Sequence, residues 1–132
     1  VNRWVEEGLI NYYGASDDVR PYLRNADCMI LPTAYREGTP RSLIEAGAIG
    51  IPLITTDMPG CREILDDGIN GFLCEAKNPQ NLAETMLKML QLKPELRLRM
   101  AGASRKKVED EYDEKIVIEK YRKAVEKALS IN

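Results

Sequence analysis

Residues 28–56 hold the tightest constraint on the fold. An apolar run, Cys28-Met29-Ile30-Leu31-Pro32, leads through a polar loop into an almost wholly apolar helix, Leu43-Ile44-Glu45-Ala46-Gly47-Ala48-Ile49. A second run, Ile51-Pro52-Leu53-Ile54-Thr55-Thr56, follows. Strands that are apolar throughout, rather than alternating, are covered on both faces, and a helix between two of them makes them parallel. Thr39 is placed to cap the helix, Pro40 sits in its first turn where a missing N–H costs nothing, and Gly50 closes it. A strand, a loop and a helix N-terminus in that order form the usual place for a phosphate-bearing ligand in an α/β sheet. Glu45 is the exception in this helix. An unpaired carboxylate is expensive to bury, so it needs a partner in the fold or a ligand to hold.

The rest of the chain extends the pattern. Residues 1–8 read as the end of a helix closed by Gly8, and Leu9–Tyr13 as a strand ended by Gly14. Residues 15–18 are a turn and cap for a short helix over residues 19–25, with Pro21 in its first turn, and Ala26–Leu31 is the next strand. After the strand at 51–56 come a turn at Met58-Pro59-Gly60, a short helix over Cys61–Leu65, and a strand over Phe72–Glu75 introduced by Asn70-Gly71. From Asn78-Pro79 onward only helices are expected. Leu82, Met86, Met89 and Leu90 mark the first, with Asn78 or Asn81 as its cap, and Pro94 starts the second. Asp113 caps the third, whose stripe of Ile116, Val117, Tyr121, Val125 and Leu129 packs on this domain or on a separate partner domain. The expected architecture is Rossmann-like: three layers, α/β/α, with a mostly parallel sheet of about four strands and a helical C-terminal extension. Residues 1–132 form one domain, an α/β core at 1–76 and a helical tail at 77–132.

Composition narrows the chemistry. There is no histidine, which removes Ser-His-Asp and Cys-His catalysis, imidazole general-base chemistry and His-rich metal sites together. The cysteines Cys28, Cys61 and Cys74 are an odd number without CxxC spacing, in or beside apolar runs, and read as buried free thiols of a reducing compartment. With 19 basic and 21 acidic residues there is no basic excess to offset phosphates, so nucleic acid is not the expected partner. No apolar run approaches the ~20 residues of a membrane span. The chain opens Val-Asn-Arg-Trp, with neither Met nor a signal peptide, and is expected to be a fragment.

Glu37 and Glu45 stand eight apart, one just before the helix and one about a turn and a half inside it. Two carboxylates are natural acceptors for the vicinal hydroxyls of sugars, and the helix N-terminus between them offers N–H groups to a diphosphate. A ligand with ribose, diphosphate and a second sugar satisfies all three. That ligand is a nucleotide sugar.

The residues Ala26-Asp27, Leu31-Pro32, Glu37-Gly38-Thr39-Pro40-Arg41-Ser42-Leu43-Ile44-Glu45-Ala46-Gly47, Gly50-Ile51-Pro52-Leu53-Ile54-Thr55-Thr56-Asp57, Pro59-Gly60, Glu63, Asp67-Gly68 and Asn70-Gly71-Phe72-Leu73 carry a resemblance. In order and spacing they resemble the C-terminal domain of the family-4 (group 1) retaining glycosyltransferases of the GT-B fold. The likeness covers residues 9–75, and its wording is most similar to bacterial members that build surface polysaccharides or lipid-linked glycans. It implies that Glu37 contacts the donor sugar and that Glu45 binds the ribose hydroxyls. Backbone N–H groups of Gly38 and Thr39 would meet sugar and diphosphate, and Ser42 and Leu43 would add contacts at the helix start. Gly14, Ala15 and Ser16, with Asp17, either border the nucleobase or form a plain helix cap. Arg41 departs from the apolar residue of many members, and either reaches the diphosphate or pairs with Glu45. Arg62 and Glu63 flank the same crevice, Arg62 in a structural or acceptor-side role.

Glu37 is thus the catalytic candidate, as a positioning and electrostatic residue rather than an assigned nucleophile. The resemblance implies no metal and no cofactor, only a UDP- or GDP-linked sugar as substrate. The departing phosphate would take the acceptor's proton on the same face. The family's first strand, its Gly-rich loop and the Arg and Lys that neutralise the diphosphate find no match, nor does the N-terminal acceptor-binding domain. The expectation is therefore the donor half of a cytoplasmic enzyme, inactive alone. Its partner would be the missing acceptor-binding domain, through which it would meet a lipid-linked acceptor or sit peripherally at the inner face of the membrane. The alternative from another class is a non-catalytic nucleotide- or phospho-regulated α/β interaction domain. A dinucleotide G-x-G-x-x-G and a P-loop are both absent from the sequence.

Overall fold

The computed structural model describes residues 1–36 and 38–130. At its centre is a parallel sheet of three strands in the order β1 (Met29–Leu31), β2 (Leu53–Thr56), β3 (Gly71–Cys74). Met29 lies opposite Leu53 and Thr56 opposite Cys74, which fixes the register on both sides of β2. Every residue of β2 is buried, so the strand is covered on both faces, as a central parallel strand must be.

Successive side chains of β2 feed two separate cores. Leu53 packs with Leu43, Ala46, Cys61, Ile64 and Val108, in a layer built by α3 (Arg41–Ile49) and the C-terminal half of α5 (Pro94–Glu111). Ile54 faces the other way and packs with Phe72, Cys74, Met89 and Met100, under α4 (Pro79–Gln91) and the N-terminal half of α5. Helices thus cover both faces, and the three-layer Rossmann-like expectation holds. One further helix, α2 (Arg20–Arg24), lies against α3. Two others, α1 (Asn2–Glu6) and α6 (Glu114–Leu129), bury no residue.

Local rules explain most boundaries. Gly50 ends α3 in the left-handed conformation at φ 83°. The Asn78 side chain accepts the Asn81 N–H at the start of α4, and the Asp113 side chain accepts the Lys115 N–H at the start of α6. Gly71 admits no side chain, because a Cβ there would strike the Leu53 backbone across the β2–β3 pair.

Three expectations are corrected. Leu9–Tyr13 forms no strand, so the described sheet has three strands and not four. The Leu9 and Ile10 N–H groups are already taken by the Trp4 carbonyl, at 2.9 and 3.3 Å, and the β-prone residues that follow pair with no described strand. Cys61–Leu65 is a series of turns rather than a helix. The Asn70 side chain donates to the Ile64 carbonyl and accepts the Asp66 N–H, at 2.9 and 2.8 Å, replacing helical partners with its own. Thr39 does not cap α3; Pro40 occupies that position, in an extended conformation with no side-chain cap.

Candidate functional site

The loop from residue 32 to residue 40 leaves the C-terminal end of β1 and enters α3, and both ends of it are fixed. At its start, buried Thr55 donates its hydroxyl to the Leu31 carbonyl at 2.8 Å, and buried Thr56 donates to the Thr33 carbonyl at 2.6 Å. At its end, α3 is wedged against α5. A Cβ on Gly47 would lie 2.6 Å from Val108 Cγ2, so the glycine lets the two helices close up. The Arg105 guanidinium of α5 donates to the Ala48 carbonyl in the last turn of α3. Tyr112, at the C-terminal end of α5, is set beside Thr39. Burial pushes its hydroxyl above the usual tyrosine range, and the Thr39 side chain offsets part of that rise.

The first turn of α3 is open. No side chain caps it, and the N–H groups of Arg41 and Ser42 find no backbone acceptor among the described residues. The Leu43 N–H is already given to the Pro40 carbonyl at 3.0 Å. Two donors at a helix N-terminus without an acceptor among the described residues favour an anion there.

Glu45 lies where two cavities meet. One, of about 310 Å³, is lined by Gly14, Ser16, Ser42 and Glu45, with Tyr13 and Tyr22 among its walls. The second, of about 470 Å³, also has Glu45 in its lining, with Asp18, Arg20, Arg41 and Arg105. Its cations are already paired. Arg41 Nε meets Glu45 Oε1 at 2.8 Å, Arg20 Nε meets Asp18 Oδ1 at 2.8 Å, and Arg105 Nε meets Glu109 Oε1 at 2.6 Å. Arg20, through its hydrogen bonds, holds the Asp18 carboxyl below its usual range.

The partner that Glu45 requires is therefore Arg41, the pairing allowed by their i, i+4 spacing. Four residues read from two separate motifs, Gly14, Ser16, Ser42 and Glu45, line one cavity. Ala15, Gly38 and Thr39 do not line it, and the Leu43 side chain turns fully into the core. Glu37 lies outside the described residues. Arg62 is pinned at the end of β2, its Nη2 donating to the Asp57 carbonyl at 2.8 Å and its Nε 3.1 Å from Asp57 Oδ1. Sequence reasoning did not find Tyr22, Arg20 or Arg105. Arg105 is 57 positions from its acceptor, beyond any local signal, but Asp18 two residues before Arg20 was a readable pair.

A family model described as "Glycosyl transferases group 1" matches residues 7–107. The chain belongs to the group 1 glycosyltransferase family. It is 32% identical over 127 residues to the N,N'-diacetylbacillosaminyl-diphospho-undecaprenol alpha-1,3-N-acetylgalactosaminyltransferase of Campylobacter jejuni, covering 96% of this chain and 33% of that protein. Anabaena Alr3699/HepE, solved in complex with UDP, matches at a TM-score of 0.87 and 18% identity, over 96% of this chain and 34% of its own. The pneumococcal O-GlcNAc transferase GtfA, solved with UDP and GlcNAc, matches at 0.78 and 28% identity, over 97% and 26%. The fold is thus the Rossmann-like α/β fold of GT-B glycosyltransferases. The chain spans about a third of the length of the curated relative it matches.

Proposed function

We propose that this chain is the nucleotide-sugar-binding unit of a retaining glycosyltransferase, with an α/β core at residues 1–76 and a helical tail at 77–132. The observation that carries this reading is the cavity joining Gly14 and Ser16 to Ser42 and Glu45. It combines a carboxylate for a vicinal diol with apolar walls, beside an uncapped helix N-terminus for a diphosphate. Solved relatives carrying UDP support the same ligand class.

In this reading Glu45 exchanges Arg41 for the ribose hydroxyls. The pair is a cheap one to break, since the Arg41 side chain is 90% exposed. The diphosphate rests at the first turn of α3, where the Arg41 and Ser42 N–H groups stabilise the charge that grows on it as the sugar departs. Gly38 and Thr39 hold the sugar side, and Glu37 orients the donor sugar as positive charge develops at its anomeric carbon. The departing phosphate takes the acceptor's proton on the same face, which retains configuration. No metal or cofactor is called for. The Campylobacter relative is named for a diphospho-undecaprenol-linked sugar, which supports an acceptor of the lipid-linked glycan class, supplied through an acceptor-binding domain in the cytoplasm.

Calorimetric titration with UDP, GDP, UDP-sugars and NAD tests the reading. One nucleoside diphosphate is expected to bind saturably, with or without magnesium, and Glu45→Ala should weaken it about tenfold or more, the scale of hydrogen bonds to a charged group. Equal binding of NAD, or an unchanged Glu45→Ala protein, would overturn it.

A further inference from the structure

The donor cavity has a feature that its motif residues do not account for. Tyr13, just before the loop of Gly14 and Ser16, and Tyr22, on α2, bring their rings together with centroids 4.8 Å apart and planes tilted by 44°. Both line the 310 Å³ cavity, and both keep much of their surface in water, 65% for Tyr13 and 43% for Tyr22.

The local fold explains why they meet. Leu23 packs against the core under α3, which docks α2 and turns its neighbour Tyr22 to one side. Gly14, at φ 69°, reverses the chain directly after Tyr13, so that the loop and the ring face the same space. Two large rings left half in water cost hydrophobic free energy that a stacked partner would recover.

We infer that Tyr13 and Tyr22 form the aromatic wall on which the nucleobase of the donor stacks. The inference rests on the donor reading above and adds the base-holding residues to it. Each ring offers a π-face to a flat heterocycle. Met29 and Val19 close the cavity with apolar surface, and Glu45 provides the carboxylate for the attached ribose. A nucleoside is the ligand that uses all three: π-face, apolar floor and diol acceptor. Stacking tolerates any base, because each has a π-face, so this wall supplies affinity, and the choice between uracil and guanine is left to polar contacts.

The test is calorimetry with UDP, with GDP, and with inorganic pyrophosphate as the base-less probe, on wild type, Tyr22→Leu, Tyr22→Phe and Tyr13→Leu. Each leucine variant should weaken the preferred nucleotide about 5- to 150-fold, the range of base–aromatic stacking. Tyr22→Phe should stay within about twofold of wild type, since the π-face is kept. Pyrophosphate should bind all four proteins alike.

Loss of pyrophosphate in parallel with the nucleotide would make the tyrosines supports of the fold and overturn the inference. So would leucine variants that bind the nucleotide as wild type does while Glu45→Ala fails to. In that second case the donor reading survives without the wall. Wild type that binds neither UDP nor GDP removes the donor reading and the wall with it. Tyr13 lies in a segment without ladder pairing, so Tyr13→Leu remains informative should Tyr22→Leu disturb α2.

Discussion

Helices α3 and α6 carry the same kind of signal, an apolar stripe at helical spacing, and meet opposite fates. Leu43 and Ala46 of α3 have no exposed surface, and Gly47 is pressed onto Val108 of α5. In α6, Val117, Ile118, Tyr121, Val125 and Leu129 all face water, with Tyr121 71% exposed, and no residue is buried. A periodic stripe therefore says which face of a helix is to be covered and not what covers it. What α3 has and α6 lacks among the described residues is apolar partners close by, β1 and β2 beneath it and α5 beside it.

The largest expected effect tests that difference directly. Leu43→Ala should lower the unfolding free energy by about 2–5 kcal/mol, the range for emptying a packed core position. Tyr121→Ser in α6 should change it by no more than about 0.5 kcal/mol, as exposed positions do. Urea titration reads both. A Tyr121→Ser loss as large as that of Leu43→Ala would mean that α6 is packed in solution, and the contrast would collapse.

The α3–α5 contact gives a smaller and sharper test. Gly47→Ala gains helix propensity of about 1 kcal/mol, but its methyl meets Val108 Cγ2 at 2.6 Å, and overpacking costs about 1–3 kcal/mol. A net loss of up to about 2 kcal/mol is expected in urea. Val108→Ala in the same chain should return part of it, as a coupling of at least about 0.5 kcal/mol in a double-mutant cycle. Strict additivity would show that the helices are not closed against each other as described.

The same division governs what the sequence could reveal. Gly50, Asn78 and Asp113 were readable because a cap is decided within a few residues. The strand–loop–helix order around Glu45 was readable because apolar runs bounded by glycine leave few alternatives. Leu9–Tyr13 misled because a strand is a property of two segments, and no described neighbour pairs with this one. Cys61–Leu65 misled because Asn70, outside the segment, takes up the Ile64 carbonyl and the adjoining Asp66 N–H. In the site, the motif loop and helix were legible, while the meeting of Tyr22 with Tyr13 and the tether from Arg105 to α3 depend on contacts across 9 and 57 positions.

Charge is the one respect in which α3 and α6 should behave alike, and this is the smallest effect. Arg41 pairs with Glu45 at 2.8 Å on α3, and Arg122 pairs with Glu119 and Glu126 at 2.8 and 2.7 Å on α6. All of these pairs are solvent-screened, so each arginine should contribute only about 0.3–0.5 kcal/mol per pair at low salt. Arg41→Ala and Arg122→Ala are expected to shift the unfolding midpoint by similarly small amounts, and both shifts should shrink toward zero at 1 M salt, where the screening length falls to about 3 Å. A loss from Arg41→Ala well above 1 kcal/mol that persists in salt would show that its pair with Glu45 holds α3 in place. Glu45 would then not be free to exchange that partner for a ribose. A small, salt-sensitive effect instead leaves the carboxylate available, and puts the difference between the two helices entirely in apolar packing.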